Sequence, residues 1–221
     1  MPYLQINCLR LYYEVAGIGH PILLLPPLSK EHTFLKQFAQ ALAKDYTVVS
    51  LDLLGHGLSD KPKEQGLYSY ENLADQCHKL VEHLKIVNHH IVGMSWSGRI
   101  ALTYALRHPE KVTALILIAS SSPRQKFTEL PDTSKMSDEE KFLTEIAWKM
   151  PYDVSQDLKK IQVPTLILVG NQDTRLEAAR MMHASIQRST MKVIEGFGHE
   201  MIGNEEICSK NILSWLRELF G

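Results

Sequence analysis

The chain has 221 residues, 44% of them hydrophobic and 22% charged, and a formal net charge of −1. That balance is ordinary for a globular protein and argues against a basic face for nucleic acid or for anionic membranes. The longest apolar runs, such as Ile22-Leu23-Leu24-Leu25, are strand-sized, far short of the roughly 20 residues that span a bilayer, so no membrane insertion is expected.

The length fits one domain over residues 1–221 with a substantial core. Met1-Pro2-Tyr3-Leu4-Gln5-Ile6-Asn7 has neither the basic start nor the apolar run of a signal peptide. Cys8, Cys77 and Cys208 are an odd number at wide spacings. They read as reduced thiols in a cytoplasmic protein, without a metal cluster.

In chain order, Tyr3 to Ile6 and Leu9 to Val15 read as an opening hairpin turned at Asn7-Cys8. Strand-like apolar runs follow at Pro21–Leu25, Thr47–Leu51, His89–Val92, Ala114–Ile118, Thr165–Val169 and Met191–Ile194. Helical patterns lie between or after them at 32–44, 71–86, 96–108, 175–187 and 205–219. Ile207, Ile212, Leu213, Leu216 and Leu219 form one stripe on the last of these, which packs it on a sheet. The alternation predicts an α/β fold with a mostly parallel sheet. It lapses over 120–161, a polar stretch holding the capping box Ser137-Asp138-Glu139-Glu140 and a helix that Pro151 ends. An insertion there reads as a small lid.

The chemistry centres on Gly93-Met94-Ser95-Trp96-Ser97-Gly98, which places Ser95 on a tight bend between a strand and a helix. The G-x-S-x-G pattern has glycine where this chain has Ser97, a residue small enough for the bend to close at some strain. A serine nucleophile needs a base and an acid to orient that base. His199, in the glycine-flanked loop Gly196-Phe197-Gly198-His199 after a strand, is the candidate base. Asp173, four residues past Val169, is the candidate acid; the loop after 114–118 offers Ala119-Ser120-Ser121-Ser122 and no carboxylate.

These residues give the resemblance. The order Ser95, Asp173, His199, the segment Asp52-Leu53-Leu54-Gly55-His56-Gly57-Leu58-Ser59-Asp60 and Val163-Pro164-Thr165 resemble small esterase-like members of the α/β-hydrolase superfamily over nearly the whole chain. The resemblance implies a twisted, mostly parallel eight-stranded sheet with helices on both faces and a reduced lid. It implies a serine hydrolase acting on a small-molecule carboxylic ester through an acyl-enzyme, with no metal or organic cofactor. His56 reads as architectural. Pro26-Pro27 stand where members carry His-Gly, and proline has no N–H. By matched position, the oxyanion donors fall on the backbone N–H groups of Leu28 and Trp96.

Trp148 and Met150 are candidate substrate contacts, as are Phe127 and Tyr152. Each reads equally well as packing. Arg99 resembles an arginine of menaquinone-pathway lyases in this superfamily, yet its spacing reads as a solvated helix position. The rival readings are a lyase or C–C bond hydrolase on the same triad, marked by such an arginine, and a ligand receptor that kept the fold. Serine rather than aspartate at 95 disfavours a dehalogenase or epoxide hydrolase.

Overall fold

A computed structural model describes residues 2–122 and 132–221. Strands β1 (Tyr3–Ile6) and β2 (Leu9–Ala16) form the opening hairpin, its turn made by Asn7 at φ 52°. Then come β3 (Pro21–Leu25), α1 (Lys36–Leu42), β4 (Thr47–Leu51), α2 (Tyr70–His83), β5 (His89–Met94) and α3 (Ser97–Arg107). The second half holds β6 (Val112–Ile118), α4 (Asp138–Lys149), β7 (Thr165–Gly170), α5 (Leu176–Ser185), β8 (Ser189–Ile194) and α6 (Glu205–Phe220). The eight strands form one sheet in the order β1-β2-β4-β3-β5-β6-β7-β8. The β1–β2 and β2–β4 pairs are antiparallel and the rest parallel.

Strand periodicity divides the core. On β3, Leu23 and Leu25 face one cluster while Ile22 and Leu24 face the other, as alternation across a pleat requires. The first cluster is closed by Leu73, Leu80 and Ile100 of α2 and α3, with Leu143 of α4 and Met182 of α5. The second is closed by Phe38 and Leu42 of α1 and Ile212, Trp215 and Leu216 of α6. Central strands covered on both faces are why their sequences run apolar without alternation.

Helices α1 to α3 and α5 are all shorter than their sequence patterns, and the reason is visible in the first two. Residues 31–36 form successive turns, with N–H bonds from Phe34, Leu35 and Lys36 to carbonyls three residues back. His32 is held there by Asp52, which accepts its backbone N–H at 2.6 Å and its ring Nδ1 at 2.8 Å. Helix α2 stops at His83 because Lys85 takes a φ of 55°. The capping box at Ser137 is present, with Glu140 N–H donating to its hydroxyl and the Glu140 carboxylate accepting its backbone N–H. No described helix is long and apolar enough to cross a membrane.

Candidate active site

In a parallel sheet the loops at the carboxyl ends of the strands face one side, where ligands bind in open α/β folds. Three such loops meet here. Ser95 follows β5, Asp173 lies three residues beyond β7, and His199 lies five beyond β8. The last two loops are stitched together by the Gln172 N–H, which donates to the Phe197 carbonyl at 2.9 Å. Met201, fully buried, anchors the turn that His199 begins.

Ser95 sits at φ 54°, a left-handed conformation that costs a non-glycine residue energy and is held by its surroundings. Its N–H donates to the Ile118 carbonyl at 2.8 Å, and its carbonyl accepts the Ser120 hydroxyl at 3.0 Å. Close approach of α3 to the sheet makes glycine necessary on both sides of the bend. A Cβ on Gly93 would lie 2.6 Å from Gly98 Cα, and one on Gly98 would lie 1.8 Å from Ser120 Oγ.

The three side chains are brought together. Ser95 Oγ lies 2.9 Å from His199 Nε2, and His199 Nδ1 lies 2.9 Å from Asp173 Oδ2. The Asp173 side chain is fully buried and that of His199 is 35% exposed. Burial pushes the Asp173 carboxyl up, but the His199 hydrogen bond, the Arg175 backbone N–H at 2.9 Å and the nearby Arg175 guanidinium outweigh it and hold the pKa below the usual range. Asp173 is therefore an ionised acceptor.

A cavity of about 110 Å³ opens on Ser95 and is lined by Leu28, Trp96, Arg99, Thr144, Ala147, Trp148 and Arg175. A much larger open hollow of about 1210 Å³ lies between α1 and α6 and contains none of these residues. Among the described residues, neither the Leu28 nor the Trp96 backbone N–H has an acceptor in the protein. Trp96 itself is buried and stacks on His56 with ring centres 5.6 Å apart. His56 is buried, its Nδ1–H donates to the Leu54 carbonyl at 3.0 Å, and burial lowers its pKa. Asp52 accepts the Leu58 N–H, and Ser59 donates to the Asp52 carbonyl, which folds the 52–60 segment on itself, while the two bonds from His32 to the Asp52 carboxylate tie it to the turns that follow Leu28.

The structure corrects part of the pocket reading. Trp148 lines the cavity, but Met150 does not. Past the end of α4 its backbone is extended and its side chain joins the main core cluster. Tyr152 packs on Tyr70 and donates to the Arg99 carbonyl at 3.0 Å, and it lines no part of the cavity. Phe127 lies outside the described residues. Arg99 is only 7% exposed, not solvated, because its guanidinium turns inward to Ser121 and the Tyr70 hydroxyl. Arg175 escaped the sequence reading altogether, although it stands two residues after Asp173. Its Nη1 lies 2.9 Å from His199 Nδ1 and 3.4 Å from Asp173 Oδ1.

Comparison with known proteins places these features in context. The family described as alpha/beta hydrolase fold matches residues 21–160. An uncharacterized protein of Mycobacterium bovis, Mb2734, is 35% identical over 122 residues, covering 54% of this chain; the match spans only 35% of that protein. An esterase from Exiguobacterium antarcticum superposes with a TM-score of 0.83 at 22% identity, covering 97% of this chain and 98% of that one. A meta-cleavage product hydrolase from Pseudomonas fluorescens IP01 superposes with a TM-score of 0.80 at 23% identity, covering 95% of each chain.

Proposed function

Because this chain belongs to the α/β-hydrolase fold family, we propose that it is a serine hydrolase cleaving small carboxylic esters. The observation that carries this reading is the continuous relay from Ser95 Oγ through His199 to Asp173, with both contacts at 2.9 Å. His199 Nε2 takes the hydroxyl proton as Ser95 Oγ attacks the ester carbonyl carbon. The N–H groups of Leu28 and Trp96 hold the resulting oxyanion. His199 then returns the proton to the leaving alcohol, and an acyl-enzyme remains. A water deprotonated by His199 attacks the acyl carbon and releases the acid and Ser95. Asp173 keeps the imidazole oriented and balances its charge.

The insertion carrying α4 acts as a reduced lid. Thr144, Ala147 and Trp148 roof a cavity with room for a short acyl chain. A second reading, a lyase or C–C bond hydrolase on the same three residues, is favoured by the buried Arg99 at the cavity wall. The overall likeness to the Pseudomonas hydrolase does not separate the two, since fold does not fix chemistry.

The test is a series of p-nitrophenyl esters from acetyl to palmitoyl, run on wild type and Ser95→Ala. Short-chain esters should be turned over best, without a jump above the micellar concentration of the long ones. Ser95→Ala should lose several orders of magnitude, and a fluorophosphonate should add its mass at Ser95. An adduct elsewhere overturns the nucleophile assignment; a palmitoyl preference overturns the lid reading. Equal rates for wild type and Ser95→Ala would leave a receptor on this fold.

A further inference from the structure

His199 Nδ1 has two neighbours that cannot both be satisfied. Asp173 Oδ2 lies 2.9 Å from it and can only accept; Arg175 Nη1, also 2.9 Å away, can only donate. If Nδ1 carries the proton, it donates to Asp173, Nε2 is free to take the Ser95 proton, and the Arg175 donor faces an N–H. If Nδ1 is bare, it accepts from Arg175, the proton sits on Nε2, and His199 cannot act as base toward Ser95. The position of Arg175 thus works against the tautomer that the relay needs.

A second cation stands on the same cavity wall. Arg99 spends its guanidinium on the Ser121 carbonyl, the Ser121 hydroxyl and the Tyr70 hydroxyl, at 3.2–3.3 Å. All three partners are neutral, and among the described residues no carboxylate lies within ion-pair distance of it. Burial lowers the Arg175 pKa, Asp173 opposes that, and the Arg99 charge lowers it further. One buried guanidinium and one half-buried one line about 110 Å³, and the carboxylate of Asp173, already bonded to His199 and Arg175, is the one acid near them among the described residues, which leaves positive charge uncompensated beside Ser95.

We propose that Arg99 and Arg175 form a carboxylate subsite, so that the substrate is a short acyl compound bearing a second, ionised carboxyl group. Its binding draws Arg175 off His199 Nδ1 and frees the competent tautomer. The planar fork of arginine fits a carboxylate bidentately, and the cavity has room for one carboxylate and a few carbons. The inference rests on Ser95 as the reacting group, but it holds for ester or carbon–carbon cleavage alike.

The test separates it from the ester reading. Fluorophosphonate labelling of Ser95 is timed with glutarate, with the neutral glutaramide, or with inorganic phosphate. Glutarate should protect the wild type, glutaramide should not, and phosphate should protect less well. In Arg99→Gln and Arg175→Gln the protecting concentration should rise about tenfold or more, as loss of a charged hydrogen bond implies. In parallel, kcat/KM for mono-p-nitrophenyl glutarate should exceed that for p-nitrophenyl butyrate, and either variant should cut this ratio about tenfold. Arg175→Gln should also raise kcat on the butyrate ester by removing the competing donor, which a merely structural role does not predict. If Arg99→Gln does not fold, Arg99→Lys and the wild-type contrast between glutarate and glutaramide still decide. Equal protection by glutarate and glutaramide, or stronger protection by phosphate, overturns the subsite. Glutarate protection without turnover of any ester keeps the subsite and sinks the ester reading; turnover without glutarate protection does the reverse.

Discussion

At position 97 the serine is part of the bend rather than a strained substitute for glycine. Ser97 is the first residue of α3, and the left-handed φ falls on Ser95 instead. The Ser97 hydroxyl accepts the Met94 N–H at 2.9 Å and lies 3.0 Å from the carbonyls of both Leu25 and Met94, to one of which it donates. Leu25 ends β3 and leads through Pro26-Pro27 to Leu28. When it donates to Leu25, this one buried hydroxyl ties the Ser95 bend to the loop that carries the proposed oxyanion donor. Ser97→Ala leaves the Met94 N–H and a carbonyl without this partner and should cost about 1–3 kcal/mol of stability by urea unfolding. Ser97→Gly, which restores the family pattern, should be no better, because it also loses the hydroxyl. A wild-type urea midpoint for Ser97→Ala would mean that the bend is held by the backbone alone.

At the scale of elements, the fit of α3 between β5 and β6 sets the height of Ser95 above the sheet. Gly98 faces Ser120 so closely that an added methyl would fall 1.8 Å from its Oγ and 2.5 Å from its Cβ. Alanine favours a helix over glycine by about 1 kcal/mol, but overpacking here should outweigh that gain. Gly98→Ala should destabilise by roughly 1–3 kcal/mol. Ser120→Gly in the same chain should recover much of the loss, and a thermal double-mutant cycle measures the coupling. The recovery should be larger in stability than in turnover, because Ser120 also donates to the Ser95 carbonyl.

Across the whole molecule, the sheet separates the site from a buried histidine cluster at its opposite end. His89 and His90 open β5 and are buried. Both ring nitrogens of His89 lack partners among the described residues, and His90 Nδ1 meets the Thr113 hydroxyl at 2.8 Å, which also contacts His20. Burial pulls both pKa values down to about 3, with neighbouring histidines adding to it. In the unfolded chain they titrate near 6.5, so below that pH the unfolded state binds more protons and gains on the fold. Stability should be fully present above about pH 7 and fall as the pH drops toward 3, by about 2 kcal/mol per histidine at pH 5. Asp173, with its depressed pKa, loses its contribution only below the carboxylate range, so urea midpoints between pH 7 and 5 report the histidines. His90→Gln should flatten that dependence; an unchanged slope would place the titrating group elsewhere.

The sequence by itself determined the alternation of strands and helices, the antiparallel opening hairpin and the chain order Ser95, Asp173, His199. These are written locally, in apolar runs that suit a sheet covered on both faces and in bends marked by glycine, proline and polar residues. Tertiary structure decided what depends on residues distant in the chain. It put Asp52 against His32 and so shortened the first helix, and it sent Met150 into the core while leaving Trp148 on the cavity. It also turned Arg99 inward and laid Arg175 against His199. A guanidinium on a long side chain has no periodic signature, because its partners are chosen by which loops meet. Local pattern therefore fixes where a side chain starts, and the fold fixes where its charge ends.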